Sequence, residues 1–236
     1  MTRPLTTGVE STGDALTAQF SPDLVRRAGA VLARLAGSRL LGPGQRMRAS
    51  QYATLGAPPH HVVFLGDSIT QGGLWQEWFA GAPVLNRGID GETSGDLLRR
   101  VDSAVCEPRA VFLLIGTNDL TWGASLQQIT ANVRALLAEI ERRAPATPVV
   151  VQSVMPRTPR FRDDLRLLNR AYRQLVDGSG EHVAYLDLWP ALADGDGDLR
   201  AEFTEDRLHL NGPGYAAWVE VLRPHVEAFL TGRPGG

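Results

Sequence analysis

Val62-Val63-Phe64-Leu65-Gly66-Asp67-Ser68-Ile69-Thr70 is an apolar run that stops at a glycine, delivers an Asp-Ser pair and passes into a helical pattern. Where a parallel strand gives way to a helix, a serine turns its hydroxyl and backbone N–H into the crevice outside the sheet. Ligands of open α/β folds bind in that crevice. Ser68 is therefore the candidate nucleophile. Adjacent side chains on an extended segment point apart, so Asp67 is expected to brace the loop rather than to serve Ser68.

Outward from this stretch the same pattern repeats. Short β-branched runs occur at 61–65, 83–85, 110–115, 148–154 and 183–186. Helical patterns at 75–80, 95–101, 126–143, 163–177 and 214–230 separate them. Strands that alternate with helices, and are apolar enough to be covered on both faces, imply an α/β domain with a parallel sheet between helical layers. Right-handed crossovers restrict its topology. Upstream, residues 1–20 are polar and expected to be poorly ordered. A further helix is expected over Pro22 to Ala36, capped by Ser21, with an Arg-rich connector through Arg46 and Arg48 leading to the first strand. The domain division is thus 1–20, a flexible segment; 21–59, helix and connector packed on the domain; and 60–232, the α/β domain.

Residues with the chemistry to assist Ser68 lie far along the chain. In Thr204-Glu205-Asp206-Arg207-Leu208-His209-Leu210-Asn211-Gly212 an aspartate precedes a histidine by three, on a polar loop before the last helix. That spacing can bring both side chains to one side of a tight turn, where a carboxylate orients an imidazole. Asn86-Arg87-Gly88-Ile89-Asp90-Gly91 and Gly116-Thr117-Asn118-Asp119 each follow an apolar run. Acyl transfer needs proton donors around a developing oxyanion, and a glycine N–H and an asparagine amide are suitable.

With these four blocks in this order, the chain resembles the SGNH hydrolases of the GDSL esterase/lipase superfamily over about residues 60–230. It is most similar in appearance to esterases of the platelet-activating-factor acetylhydrolase type. The resemblance implies a three-layer α/β/α sandwich with five parallel strands in flavodoxin-like order. It implies Ser68 as nucleophile, with Asp206 and His209 completing a triad, and an oxyanion hole from the N–H groups of Ser68 and Gly91 and the amide of Asn118. Asp90 departs from the small residue common at that place in such relatives, and is expected either to disfavour anionic substrates or to point to solvent.

The expected function is a serine esterase that hydrolyses small, short-acyl carboxylic esters through an acyl-serine. The alternatives are a carbohydrate O-acetyltransferase, which would share that intermediate, or a non-catalytic binding domain on the same fold. At neutral pH a serine hydroxyl needs a base, and an unperturbed imidazole, titrating near ~6.5, is suited to the task.

Composition fits this reading. The 236 residues, 43% hydrophobic, are enough for one core, and a net charge of −2 argues against nucleic acid as a partner. All basic residues are arginines, and seven of them stand against three acids in the first fifty positions. Cys106 is the only cysteine, which excludes an intrachain disulfide, and is expected to be a small, partly buried side chain. No basic segment followed by an apolar core opens the chain, and no stretch reaches the roughly 20 apolar residues of a membrane span, so a cytoplasmic location is expected. The partner is a small-molecule ester, and the oligomeric state is not encoded in any pattern.

No cofactor or metal is expected. Asp194-Gly195-Asp196-Gly197-Asp198 begins like a calcium loop but has Leu199 where the sharp turn requires glycine, so a tight turn is the better account. His60, His61, His182 and His225 lack an acid at useful spacing, and Asn86 is expected to bridge loops. For the substrate, Leu74, Trp75, Leu120, Trp122, Met155 and Pro156 are candidates for an apolar pocket near the rim. One of Arg157, Arg160 and Arg162 is a candidate to hold an anionic group.

Overall fold

The computed structural model describes residues 42–232. The segment 1–20 and the helix expected over Pro22 to Ala36 lie outside the described residues. Residues 42–55 are helical and form α1, where a connector was expected. Between Gly44 and Gly56 no glycine or proline interrupts the chain, so nothing stops the helix once Pro43 has opened it.

Five parallel strands follow: β1 (Val62–Gly66), β2 (Val84–Gly88), β3 (Ala110–Leu114), β4 (Val149–Gln152) and β5 (Val183–Leu186). Their order is β2-β1-β3-β4-β5, the flavodoxin-like order. The helices are α2 (Ser68–Gln71), α3 (Trp75–Trp78), α4 (Ser94–Arg100), α5 (Thr117–Thr121), α6 (Leu126–Arg143), α7 (Arg162–Asp177), α8 (Trp189–Leu192) and α9 (Gly212–Thr231). The central strands β1, β3 and β4 are buried at every position, as helical cover on both faces requires. β2 runs on through Asn86 and Arg87, beyond the apolar run that announced it. Pairing with β1 overrides their polarity because Asn86 Nδ2 finds Gln71 O at 2.9 Å and Gly73 O at 3.1 Å.

The pleat sorts the core into two halves. Val63, Leu65, Val111, Leu113, Val149 and Val151 face Leu97 of α4, Ile129, Val133 and Leu136 of α6, and Leu165, Leu168 and Tyr172 of α7. Val62, Phe64, Phe112, Leu114 and Val150 face Trp75 of α3 and Trp218, Leu222 and Val226 of α9. A sheet between two helical layers results.

Trp75 and Met155 belong to this core, which corrects their reading as pocket residues. Trp75 is fully buried, stacks on Phe64 at 4.0 Å and donates from Nε1 to Thr70 O at 2.9 Å. A one-turn helix turns the ring inward, away from the rim. Met155 is 2% exposed. Cys106 is exposed, another correction; it follows buried Val105 on the turn into Pro108, where the chain has left the core. No described helix is long and apolar enough to cross a membrane.

Candidate active site

Register brings the blocks together. Gly66 pairs with Gly88 on one side and Leu114 on the other, so the segments after β1, β2 and β3 leave the sheet side by side. Ser68 follows Gly66 by two residues, Gly91 follows Gly88 by three, and Asn118 follows Leu114 by four. Asp67 caps α2, its Oδ1 accepting from Ile69 N at 3.0 Å, and this sets Ser68 on the first helical position. Burial pushes the Asp67 carboxyl up to about 7; the Ile69 hydrogen bond opposes the shift, and the charges of Asp119, Glu92 and Asp90 add to it.

The loop after β2 turns at Gly91, whose φ of 71° a side chain would strain. Its continuation is tied down residue by residue. Glu92 is buried and takes Arg100 on both carboxylate oxygens, Nε at 2.7 and 2.8 Å and Nη2 at 2.5 Å. Arg100 Nη2 also donates to Arg87 O at 2.9 Å. Thr93 and Asp96 close a capping box on α4. Asp119 accepts from Ser94 N at 2.8 Å and Ser94 Oγ at 2.6 Å, and Asn118 Nδ2 donates to Glu92 O at 2.9 Å. An amide nitrogen carries two protons, and this bond uses one of them. Burial pushes both Glu92 and Asp119 up, against the hydrogen bonds that Arg100 and Ser94 supply.

The histidine arrives from the opposite side. Arg207, at φ 61°, bends the chain between Asp206 and His209. The bend lets Asp206 Oδ1 accept from Leu208 N at 2.9 Å and His209 N at 2.7 Å. Asp206 Oδ2 lies 2.6 Å from His209 Nδ1, and His209 Nε2 lies 3.0 Å from Ser68 Oγ. Partial desolvation would raise the Asp206 carboxyl, but the hydrogen bonds from the His209 ring and from the His209 and Leu208 N–H groups outweigh it and hold it at about 2. A charged carboxylate at that distance places the imidazole proton on Nδ1 and turns the Nε2 lone pair to the serine.

The remaining candidates divide. Leu74 is 59% exposed, Trp122 and Leu120 are partly buried, and Pro156 is buried. Arg162 is taken by Asp198 at 2.9 and 2.6 Å, so it is not available to an anion. Arg157 is buried over the Phe161 ring at 4.0 Å, and its Nη1 donates to Thr117 Oγ1 at 3.0 Å and Thr121 Oγ1 at 2.8 Å. Desolvation lowers this guanidinium to about 10, with Arg160 adding to the shift. Asp194 closes a tight turn, its Oδ1 accepting from Asp196 N and Asp198 N at 3.0 and 2.9 Å. Among the described residues no group of three or more His, Cys, Asp or Glu side chains is placed to hold a metal ion.

Sequence reasoning did not find the Glu92–Arg100 pair or the grip of Asp119 on Ser94. The spacing Thr93-x-x-Asp96 is a readable sign of a helix start at this loop.

Comparison with known proteins gives the family. Residues 64–217 match the GDSL-like lipase/acylhydrolase family. The platelet-activating factor acetylhydrolase IB subunit alpha1 of Bos taurus is 30% identical over 180 residues, covering 72% of this chain and 76% of that protein. A solved structure from Streptococcus pneumonia, named for platelet activating factor, superposes with a TM-score of 0.76 at 27% identity, covering 83% of this chain and 98% of that one. A GDSL-like lipase from Bacteroides thetaiotaomicron superposes with a TM-score of 0.62 at 25% identity, covering 78% and 97%. The chain belongs to the GDSL-like lipase/acylhydrolase family and is an ester-hydrolysing enzyme of the SGNH type.

Proposed function

We propose that this enzyme hydrolyses small, short-acyl carboxylic esters through an acyl-serine on Ser68. The observation that carries the reading is the continuous relay from Ser68 Oγ through His209 to Asp206, at 3.0 and 2.6 Å. Ser68 Oγ attacks the ester carbonyl carbon while its proton passes to His209 Nε2. The carbonyl oxygen becomes an oxyanion, received by the N–H groups of Ser68 and Gly91 and the second Nδ2 proton of Asn118. The carbon–oxygen bond to the alcohol then breaks, and the alcohol leaves with the proton from His209. Water attacks the acyl-serine, His209 again takes and returns a proton, and the carboxylic acid departs. Asp206, charged throughout, holds the tautomer and balances the imidazolium.

Hydrolysis rather than transfer is supported by exposure: the His209 and Asp206 side chains are 45% and 52% exposed, so water reaches the base. Leu74 and Trp122 form the apolar part of the rim on this reading. Arg157 acts from below, holding the turn of α5 that carries Asn118. Trp75 and Met155 contribute packing instead of substrate contact.

Chromogenic acetyl, butyryl and octanoyl phenyl esters test the reading. The wild type releases phenol fastest from the short chains, and Ser68→Ala falls to the background rate. Undiminished activity in the variant refutes the assignment of the nucleophile.

A further inference from the structure

Ser68 and His209 meet across two elements, and a proton can pass between them only while Oγ and Nε2 stay within hydrogen-bond reach. Ser68 opens α2, a helix of four residues, too short to satisfy its own carbonyls. Each finds its donor beyond the helix: Ser68 O takes Gly72 N at 2.9 Å, Thr70 O takes Trp75 Nε1 at 2.9 Å, and Gln71 O takes Asn86 Nδ2 at 2.9 Å. Ile69 O, of the residue after the nucleophile, takes the Tyr215 hydroxyl at 2.7 Å. Tyr215 stands on α9. Apart from the Ser68–His209 contact itself, this is the one hydrogen bond among the described residues that joins α2 to the segment 204–231.

The other end of this bond is tied to the base. His209 lies two residues before Asn211, the cap of α9, and Tyr215 lies one turn inside that helix. Asn211 Oδ1 accepts from Gly214 N at 3.2 Å, Asn211 O accepts from Tyr215 N at 2.9 Å, and Asn211 Nδ2 donates to Glu202 O at 3.0 Å. The Tyr215 ring stacks on Trp218 at 5.9 Å and meets Trp75 edge-on at 6.3 Å, which restricts its swing. Gly72 leaves room for the hydroxyl, since a Cβ there would lie 2.6 Å from Tyr215 Oη. Burial pushes this phenol up, and the Asp67 charge adds to the shift, so the hydroxyl keeps its proton and donates at neutral pH.

We propose that Tyr215 is a positioning residue: its hydroxyl, bonded to Ile69 O, ties the segment that carries His209 to the helix that carries Ser68 and so sets the distance between base and nucleophile. The proposal rests on the reading of Ser68 and His209 given above. Tyr215 acts through these two residues and takes no proton from the substrate. Without the hydroxyl the ring still packs between Trp75 and Trp218, but α2 and the histidine turn are free to drift apart. A small drift weakens the Oγ–Nε2 bond, because hydrogen bonds depend steeply on distance and angle. The loss falls on bond making and not on substrate binding, so it belongs to kcat and leaves KM in place.

The test breaks the bond from both ends in the full chain. Tyr215→Phe keeps the ring and removes the donor; its kcat on acetyl, butyryl and octanoyl phenyl esters is expected to fall roughly 10-fold, by the same factor on each, with KM within about 2-fold of wild type. Gly72→Ala sets a methyl group against the hydroxyl and is expected to show the same loss. In the double variant that methyl group meets no hydroxyl, so kcat is expected to match Tyr215→Phe alone instead of falling the roughly 100-fold that two independent effects would give. A kcat within about 2-fold of wild type in either single variant, a raised KM in place of a lowered kcat, or multiplied losses in the double variant overturns the proposal while Ser68 remains the nucleophile. Should Tyr215→Phe fail to fold, Gly72→Ala alone decides by the same two criteria of kcat and KM. Hydrolysis at the wild-type rate by Ser68→Ala overturns the reading of Ser68, and this tie with it.

Discussion

On one flank of Ser68 the groups that would receive an oxyanion are buried and held by a closed set of bonds, Arg100 on Glu92, Asn118 on Glu92 O and Asp119 on Ser94. On the other flank His209 and Asp206 are about half exposed, and their partners belong to one short turn bent at Arg207. On the proposed mechanism the two flanks have different tasks. Donors to an oxyanion are effective only if they are already in place, because reorientation during the reaction would cancel the gain. A general base must pass a proton to two different oxygens in turn, and needs contact with water and some freedom. The contrast predicts that substitutions on the exposed flank change activity alone, whereas those on the buried flank change activity and stability together.

The largest effect tests the exposed flank. His209→Ala should reduce kcat by roughly 10⁴-fold or more, while urea unfolding stays within about 0.5 kcal/mol of wild type. A comparable loss of stability would break the contrast. On the buried flank, Glu92→Gln leaves Arg100 without its carboxylate and should lower unfolding stability by roughly 3 kcal/mol, with activity falling as the Gly91 loop loosens. Full stability in that variant would show that the Glu92–Arg100 pair does not hold this flank together. Asn118→Ala should do both things at once: kcat falls roughly 10²–10³-fold, and stability by about 1 kcal/mol as Glu92 O loses its donor.

The smallest effect is a slope. Burial raises Asp67 from 3.8 to about 7, so the folded state binds a proton that the unfolded state releases. The stability this contributes is fully present below pH ~4 and is lost as the pH rises through about 7. Asp67→Asn keeps the cap on Ile69 and should flatten this decline, which is of order 1 kcal/mol per pH unit at most, in unfolding curves taken between pH 4 and 8. An unchanged slope would mean that the carboxylate is already compensated.

The flanks also differ in how far the sequence announced them. Asp206 and His209 were readable because their pairing is local: three residues, one bend, one ion pair. Ser68 was readable from the strand that ends at Gly66, and the sheet from β-branched runs that must be buried on both faces. The buried flank was not. Arg100 pairs with Glu92 across eight residues and Asp119 with Ser94 across twenty-five, and no periodicity encodes which charged residue will be drawn inside. Trp75 misled for a related reason: an aromatic ring shortly after the nucleophile segment is equally compatible with rim and core, and only packing against Phe64 decides. For α1, arginines at Arg46 and Arg48 suggested a solvated connector, though helical chain carries such residues on its outer face without difficulty.

The account depends on Ser68 being the group that His209 activates. Treating the enzyme with a 4-nitrophenyl alkylphosphonate and mapping the adduct by mass spectrometry tests this most directly. The prediction is one phosphonyl group, on Ser68, with activity lost in proportion to labelling, and labelling strongly slowed in His209→Ala. Inactivation with the adduct elsewhere, or full activity with Ser68 modified, would contradict it.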